Sequence, residues 1–221
     1  MPRMFSCFLC LIFSVTLASA DVFTVGPAGF HATLQSAFDA AVTLGGNHEI
    51  RIQQGVYDNG TTSVFVTDDL SVAISGGWNA AYSEMTANTS LTSLSGGMDS
   101  RVLSVNAGSG SGGTLRLENL TITSGFVQQA GAGISLVSSG SAIVEIVNCH
   151  FLENKAGFDD GSSEAPFGPA INADLNDESS LHIRGCLFQD NIARASSVTN
   201  GAVVVSPGQD AALVISESRF I

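Results

Sequence analysis

Lysine is nearly missing from this chain: Lys155 is the single one in 221 residues. Arginine adds little, so Lys and Arg total 8 against 20 Asp and Glu, a formal charge of −12. A chain this poor in cations has no basic surface to neutralise phosphates, which argues against nucleic acid as a partner. All charged residues together make up 13%, about half of the roughly 25% usual in soluble domains. That scarcity argues against helical bundles and coiled coils, which carry charge along their outer faces. Cysteine is scarce as well, with 4, too few for a disulfide-framework fold. After residue 20 no run approaches 18 apolar residues, so the sequence contains no segment that reads as a transmembrane helix.

What is present is apolar and glycine-rich: 44% hydrophobic residues and 24 glycines. The apolar share is ample for a core and argues against general disorder. Residues 1–20 read as a secretory signal peptide. Arg3 supplies the positive start, Phe5–Leu17 the apolar stretch, and Ala18-Ser19-Ala20 an A-x-A site with cleavage expected after Ala20. Cys7 and Cys10 fall inside it. The mature chain, with seven basic and twenty acidic residues, then carries −13 and keeps two cysteines, Cys149 and Cys186. The expected location is secreted or cell-surface.

Residues 21–48 are expected to form an N-terminal cap containing one helix over 32–44. Leu34, Ala37, Phe38, Ala41 and Leu44 recur at three- and four-residue spacing, with Thr33 as N-cap and Gly45-Gly46 as the stop. From residue 49 to 221 the period changes to two. Ile50–Ile52, Val64–Val66, Val72–Ile74, Leu115–Leu117 and Ile143–Val147 read as short strands between Gly, Asn, Ser and Asp clusters.

The second half repeats. Cys149, Phe151 and Asn154 recur as Cys186, Phe188 and Asn191, each 37 residues on. Ile134 recurs as Ile171 after 37 and as Val203 after a further 32, and Phe188 as Phe220 after 32. Ile122, 29 before Phe151, marks a degenerate earlier copy. Fixed short strands at variable intervals are what a solenoid produces: each repeat is one coil, strands stack on their equivalents about 4.8 Å away, and length changes go into loops. The fold expected is all-β, a right-handed parallel β-helix with an N-terminal capping α-helix. Cys149 and Phe151 should point inward, His150 and Leu152 outward. Asn154 and Asn191 should sit at a corner, where Asn tolerates the left-handed region and bonds to backbone or to the next Asn. Phe220 opens a unit whose Asn would fall at 223, so the coils are expected to be truncated at the C-terminal end, with further coils or an anchor beyond.

These residues resemble the right-handed parallel β-helix proteins of the pectin-lyase-like fold. Phe151-Leu-Glu-Asn154 and Phe188-Gln-Asp-Asn191 are similar to the F-x-x-N repeats of polymorphic outer-membrane proteins. Gly131-Ala-Gly-Ile134, Gly168-Pro-Ala-Ile171 and Gly201-Ala-Val-Val204 are similar to their G-G-A-[ILV] motif. Ile50–Tyr57 resembles the opening strand of such proteins, and Ser75-Gly-Gly-Trp78 and Leu94-Ser-Gly-Gly97 their next turns. The resemblance implies fold, and it leaves function open, because β-helices carry lyases, hydrolases and adhesins alike.

For chemistry, the polygalacturonase pattern would need a His-Gly and an Arg-x-Lys, and the chain has neither. His182 and Arg184 could share an outward face, as catalytic bases or as two solvated strand residues. Asp159, Asp160 and Glu164, beside Gly161, are the best oxygen-donor cluster for Ca²⁺, and Asp174, Asn176 and Glu178 a second set; both also read as solubilising loops. No other cofactor is implied. Cys149 and Cys186 form either a buried thiol ladder or a disulfide. Tyr57 and Trp78 are either sugar-stacking platforms or loop anchors. Asn59, Asn88 and Asn119 open N-glycosylation sequons. The function expected is a secreted or cell-surface non-catalytic β-helix, an adhesin- or passenger-like binding or structural module with glycans or cell-surface ligands as partners. The alternative is a carbohydrate-active enzyme acting on acidic polysaccharide.

Overall fold

The computed structural model describes residues 20–58, 63–67, 69–108, 112–128, 130–157, 168–194 and 201–221. Every named strand pairing is parallel, in four sheets of seven, six, five and three strands. Strands that are neighbours in a sheet are one coil apart in sequence, and the chain visits the sheets in turn before returning to the first. That is a parallel β-helix.

The longest sheet stacks Asp21–Val25, Asn47–Gln53, Ser71–Trp78, Thr114–Glu118, Ile143–Val147, Ser180–Arg184 and Ala212–Ser216. Its period-two sequences explain it. Ile50, Ile74, Leu117, Ile146 and Ile183 form one buried row in register from coil to coil, and Val72, Leu115, Val144 and Leu181 a second; Ile52, also buried, pairs with Val25 and falls where the register shifts. Each buried aliphatic side chain contributes roughly 1.5–3 kcal/mol of transfer free energy. Residues 21–25 belong to this sheet as its first strand, so the cap segment also starts the coil stack. At the other edge, Leu213 and Ile215 are 41% and 42% exposed, Ala212–Ser216 being the last strand of this sheet among the described residues.

Helix α1 spans Leu34–Leu44. Thr33 caps it, accepting from the Ser36 N–H, and Gly45 (φ 65°) ends it with its N–H on the Ala41 carbonyl. Leu34, Ala37, Phe38 and Ala41 are buried, and the Phe38 ring lies 4.5 Å from that of Phe65. Leu44, on the same face by spacing, is 62% exposed as the last helical residue before the Gly45 turn.

The six-stranded sheet carries an aromatic row. Tyr57, Leu94, Ile122, Phe151, Phe188 and Phe220 are consecutive register partners. The Phe151 and Phe188 rings stack at 4.8 Å and 8°, and Phe188 and Phe220 at 4.6 Å and 6°. Phe151 and Phe188 are buried, while His150 and Leu152 are half-buried on the outer side.

The corners are built differently from the sequence expectation. The left-handed residues are Ser124 (φ 54°), Glu153 (φ 56°) and Asp190 (φ 53°), each one residue before the Asn position. Asn154 and Asn191 keep ordinary backbone and use their amides instead. Asn154 Oδ1 accepts from the Gly125 N–H (3.0 Å) and its Nδ2 donates to the Ile122 carbonyl (2.9 Å) of the coil before. Asn191 repeats this one coil on, accepting from the Asn154 N–H (3.2 Å) and donating to the Phe151 carbonyl (2.8 Å). The Asn154 amide also donates to Asn191 Oδ1 at 2.9 Å. The reason is a division of labour: the turn needs one residue at positive φ, and the following amide satisfies the backbone groups the turn exposes.

Candidate functional surfaces

The outer face of the long sheet carries three of the chain's seven arginines, Arg51, Arg116 and Arg184, beside Glu49, Glu118 and Glu145. Strand alternation places Glu49, Ala73, Arg116, Glu145, His182 and Val214 in one cross-coil row, and Arg51, Ser75, Glu118, Val147, Arg184 and Ser216 in the next. Arg116 sits between two carboxylates, 3.0 Å from Glu118 and 2.8 Å from Glu145. The Glu118 hydrogen bond, with Glu145 adding to it against the cost of partial burial, raises the guanidinium above its ordinary range. His182 and Arg184 lie one coil further along, and with Arg116, Glu145, Val147 and Ser216 they line a depression of about 260 Å³. The structure thus places His182 and Arg184 on one outward face.

Trp78 is not open to a ligand. The Arg51 guanidinium lies over its ring at 4.1 Å, its Nε1 donates to Ser75 Oγ at 2.9 Å, and it is 9% exposed. Arg51 is itself held by Glu49 (2.8 Å) and by the Tyr82 carbonyl (3.0 Å). Tyr57 is half-buried, and its hydroxyl donates to the Gln53 carbonyl (2.8 Å) and lies 3.4 Å from the Val25 carbonyl. Burial first, with the nearby Tyr82, pushes the Tyr57 phenol up to about 12. Both residues therefore anchor loops, and Tyr57 additionally lines a cleft beside the N-terminal cap.

That cleft has a volume of about 530 Å³ and is lined by Gly26, Pro27, Gly29, Phe30 and Ala32 and by Gln54–Asp58. Sequence reasoning missed it. Phe30 precedes the amphipathic helix and looks like an ordinary apolar residue, so no periodicity marks it as exposed.

Cys149 and Cys186 are free, buried thiols on adjacent coils. Each S–H bonds the carbonyl two residues back, Val147 at 3.3 Å and Arg184 at 3.4 Å, and Cys186 Sγ accepts from the Cys149 N–H at 3.4 Å. Ser218 fills the same place in the next coil: its Oγ donates to the Ser216 carbonyl (2.9 Å) and accepts from the Cys186 N–H (3.1 Å). The thiols act as corner hydrogen-bonding groups, interchangeable with a hydroxyl. Burial raises the Cys149 thiol well above its ordinary value, which leaves it a poor nucleophile.

Asp159, Asp160 and Glu164 lie outside the described residues, as do Asn59 and residues 1–19. Asp174 and Glu178 are exposed, and Asn176 spends its amide on the Ser138 carbonyl at 3.4 Å. Among the described residues no three His, Cys, Asp or Glu side chains group as a metal site. Asn119 is buried, accepting from the Asn148 amide, whereas Asn88 is exposed. No described helix is long and apolar enough to cross a membrane.

No family model, no curated protein and no solved structure matches this chain.

Proposed function

We propose that this chain is a secreted or cell-surface β-helix without catalytic activity, an adhesin- or passenger-like module that binds glycans or other cell-surface ligands or holds them at a distance. One observation carries this reading. On the long outer face the best-placed ionic side chains are engaged with one another, Arg116 with Glu118 on its own strand and with Glu145 on the next coil, and Arg51 with Glu49 on its own strand. A reactive site directs such groups into a cleft towards substrate, whereas a presenting surface locks them in place. The likeness of the Phe151–Asn154 and Phe188–Asn191 units to polymorphic outer-membrane protein repeats of the pectin-lyase-like fold supports it, as does the leader read in residues 1–20, with export after Ala20. Within the same proposal, Asp159, Asp160 and Glu164 are the place to look for a bound Ca²⁺.

A second reading, an enzyme on acidic polysaccharide, is favoured by the depression where Arg116, Glu145, His182 and Arg184 meet. Incubation with neutral and acidic polysaccharides, with and without Ca²⁺, separates the two. The expected result is retention on immobilised glycan with no new reducing ends and no unsaturated products. Turnover that disappears in Arg184→Ala would replace the first reading by the second.

A further inference from the structure

The loop from Gly26 to His31 is tied down more heavily than its place at the surface requires. The Gly26 N–H donates to the His31 carbonyl (3.1 Å) and the His31 N–H to the Thr24 carbonyl (2.9 Å). The Gly29 N–H closes a turn on the Gly26 carbonyl at 2.9 Å. The Phe30 N–H donates to Thr24 Oγ1 (2.9 Å) and the Ala28 N–H to Gln53 Oε1 (3.1 Å). The Tyr82 hydroxyl reaches across from a later coil to the Val25 carbonyl at 2.9 Å, and the Tyr57 hydroxyl lies 3.4 Å from the same oxygen. The chain's two tyrosines thus converge on one loop. The fit admits only glycine: a Cβ on Gly26 would lie 2.6 Å from the Tyr57 hydroxyl, and one on Gly29 would lie 2.7 Å from the Tyr82 hydroxyl.

What this rigid frame holds out is a bare phenyl ring. Phe30 is 90% exposed, while Phe38, Phe65, Phe151 and Phe188 are 0–1% exposed. An exposed Phe adds little to folding; this ring meets His31 edge-on at 5.3 Å, and the fixed backbone beneath it has little freedom left to lose on binding. The ring stands at the rim of the cleft described above, which is within the 300–1,000 Å³ range of small-ligand sites. Gln54 and Asp58 line the same cleft; the Gln54 amide nitrogen donates to the Gly77 carbonyl at 3.1 Å, which leaves its carbonyl oxygen and the Asp58 carboxylate as polar groups there. An exposed aromatic ring in one cleft with a carboxamide oxygen and a carboxylate suits a ligand with one apolar face and a hydroxyl-bearing rim, which describes a pyranose ring.

We propose that this cleft binds a sugar residue, stacked on Phe30 and hydrogen-bonded along the Gln54–Asp58 wall. The site rests on the binding-module reading above and assigns it a ligand class and a place, on the cap rather than on the long outer face.

The test uses the whole chain and a panel of methyl glycosides and disaccharides of glucose, galactose, mannose and N-acetylglucosamine, read by saturation-transfer NMR and titration. At least one member binds, Phe30→Ala weakens it tenfold or more, and Phe30→Trp keeps it and reports it by a change in fluorescence. Because Phe30 is exposed, both variants melt with the parent. Sugar binding that is undiminished in Phe30→Ala would place the ligand elsewhere, sinking this site and leaving the binding-module reading intact. Binding of an apolar dye such as anilinonaphthalene sulfonate without any sugar would overturn the sugar assignment. Retention of the parent on cell-surface ligands other than glycans, together with an inert Phe30, would do the same while preserving the broader function.

Discussion

The first coils and the repeated coils run through the same sheets but are held together by different means. From residue 143 onward, like residues stack on like: Phe151 on Phe188, Asn154 on Asn191, Cys149 on Cys186. Before residue 100 the same row holds Tyr57 and Leu94, which do not repeat one another. Tyr57 occupies the row of Phe151, and Trp78 closes the long sheet's third strand under Arg51. The difference teaches that a ladder needs a repeating partner above and below, and the first coils have helix α1 and a loop on one side instead. They substitute long-reach hydrogen bonds, such as Tyr82 to Val25 across 57 residues, for stacked identity. The repeated coils are interchangeable units, and the first coils are a fitted end piece.

The sharpest way to break this comparison is Phe151→Ala. It removes a fully buried ring with neighbours in both adjacent coils, so a loss of about 3–5 kcal/mol is expected in denaturant melts. Phe30→Ala, at the cap, should leave the melt unchanged. Next comes Asn154→Ala. Asn154 is fully buried, and its removal strands the Gly125 N–H and the Ile122 carbonyl, at about 1–3 kcal/mol per group. Hydrogen exchange should then rise at Gly125 and spare residues 21–58. If exchange rises equally in both regions, the end piece and the repeats are one cooperative unit and the distinction fails.

The smallest effect belongs to the first coils and is read by pH. Tyr57 has its phenol raised from 10.0 to about 12, chiefly by burial. The folded state therefore favours the neutral phenol. That contribution is full below pH 10 and is lost as the pH rises towards 12. Tyr57→Phe should flatten the alkaline fall in stability over that window, with no change near pH 7. An unchanged alkaline profile would mean that the Tyr57 phenol is not held in a buried setting in the first coils.

Much of the coil structure could be read from spacing alone, because stacking in register forces equivalent residues into equivalent chemistry. The offsets linking Ile134, Ile171 and Val203, or Phe151, Phe188 and Phe220, are the pairing registers themselves. Helix α1 was equally legible from its period and its caps, apart from Leu44. The corners were only half legible. Asn154 and Asn191 announce a turn, but which residue takes positive φ depends on where the backbone must reverse, and Glu153 and Asp190 carry no mark of it. The candidate surfaces were least legible. His182 and Arg184 could be assigned to an outward face by alternation, while their meeting with Arg116 and Glu145 needed two neighbouring coils to be in place.

By itself, then, the amino-acid sequence determined the all-β coil, its register and its inward residues, since these follow from period-two alternation and from repetition at fixed offsets. Only the tertiary structure decided that Trp78 is covered and that Cys149 and Cys186 serve as Ser218 does. It alone decided that Phe30 is held bare beside a cleft. Each of these depends on what a different coil places against the residue, and that neighbour is chosen by the stacking of distant segments, which no local pattern records.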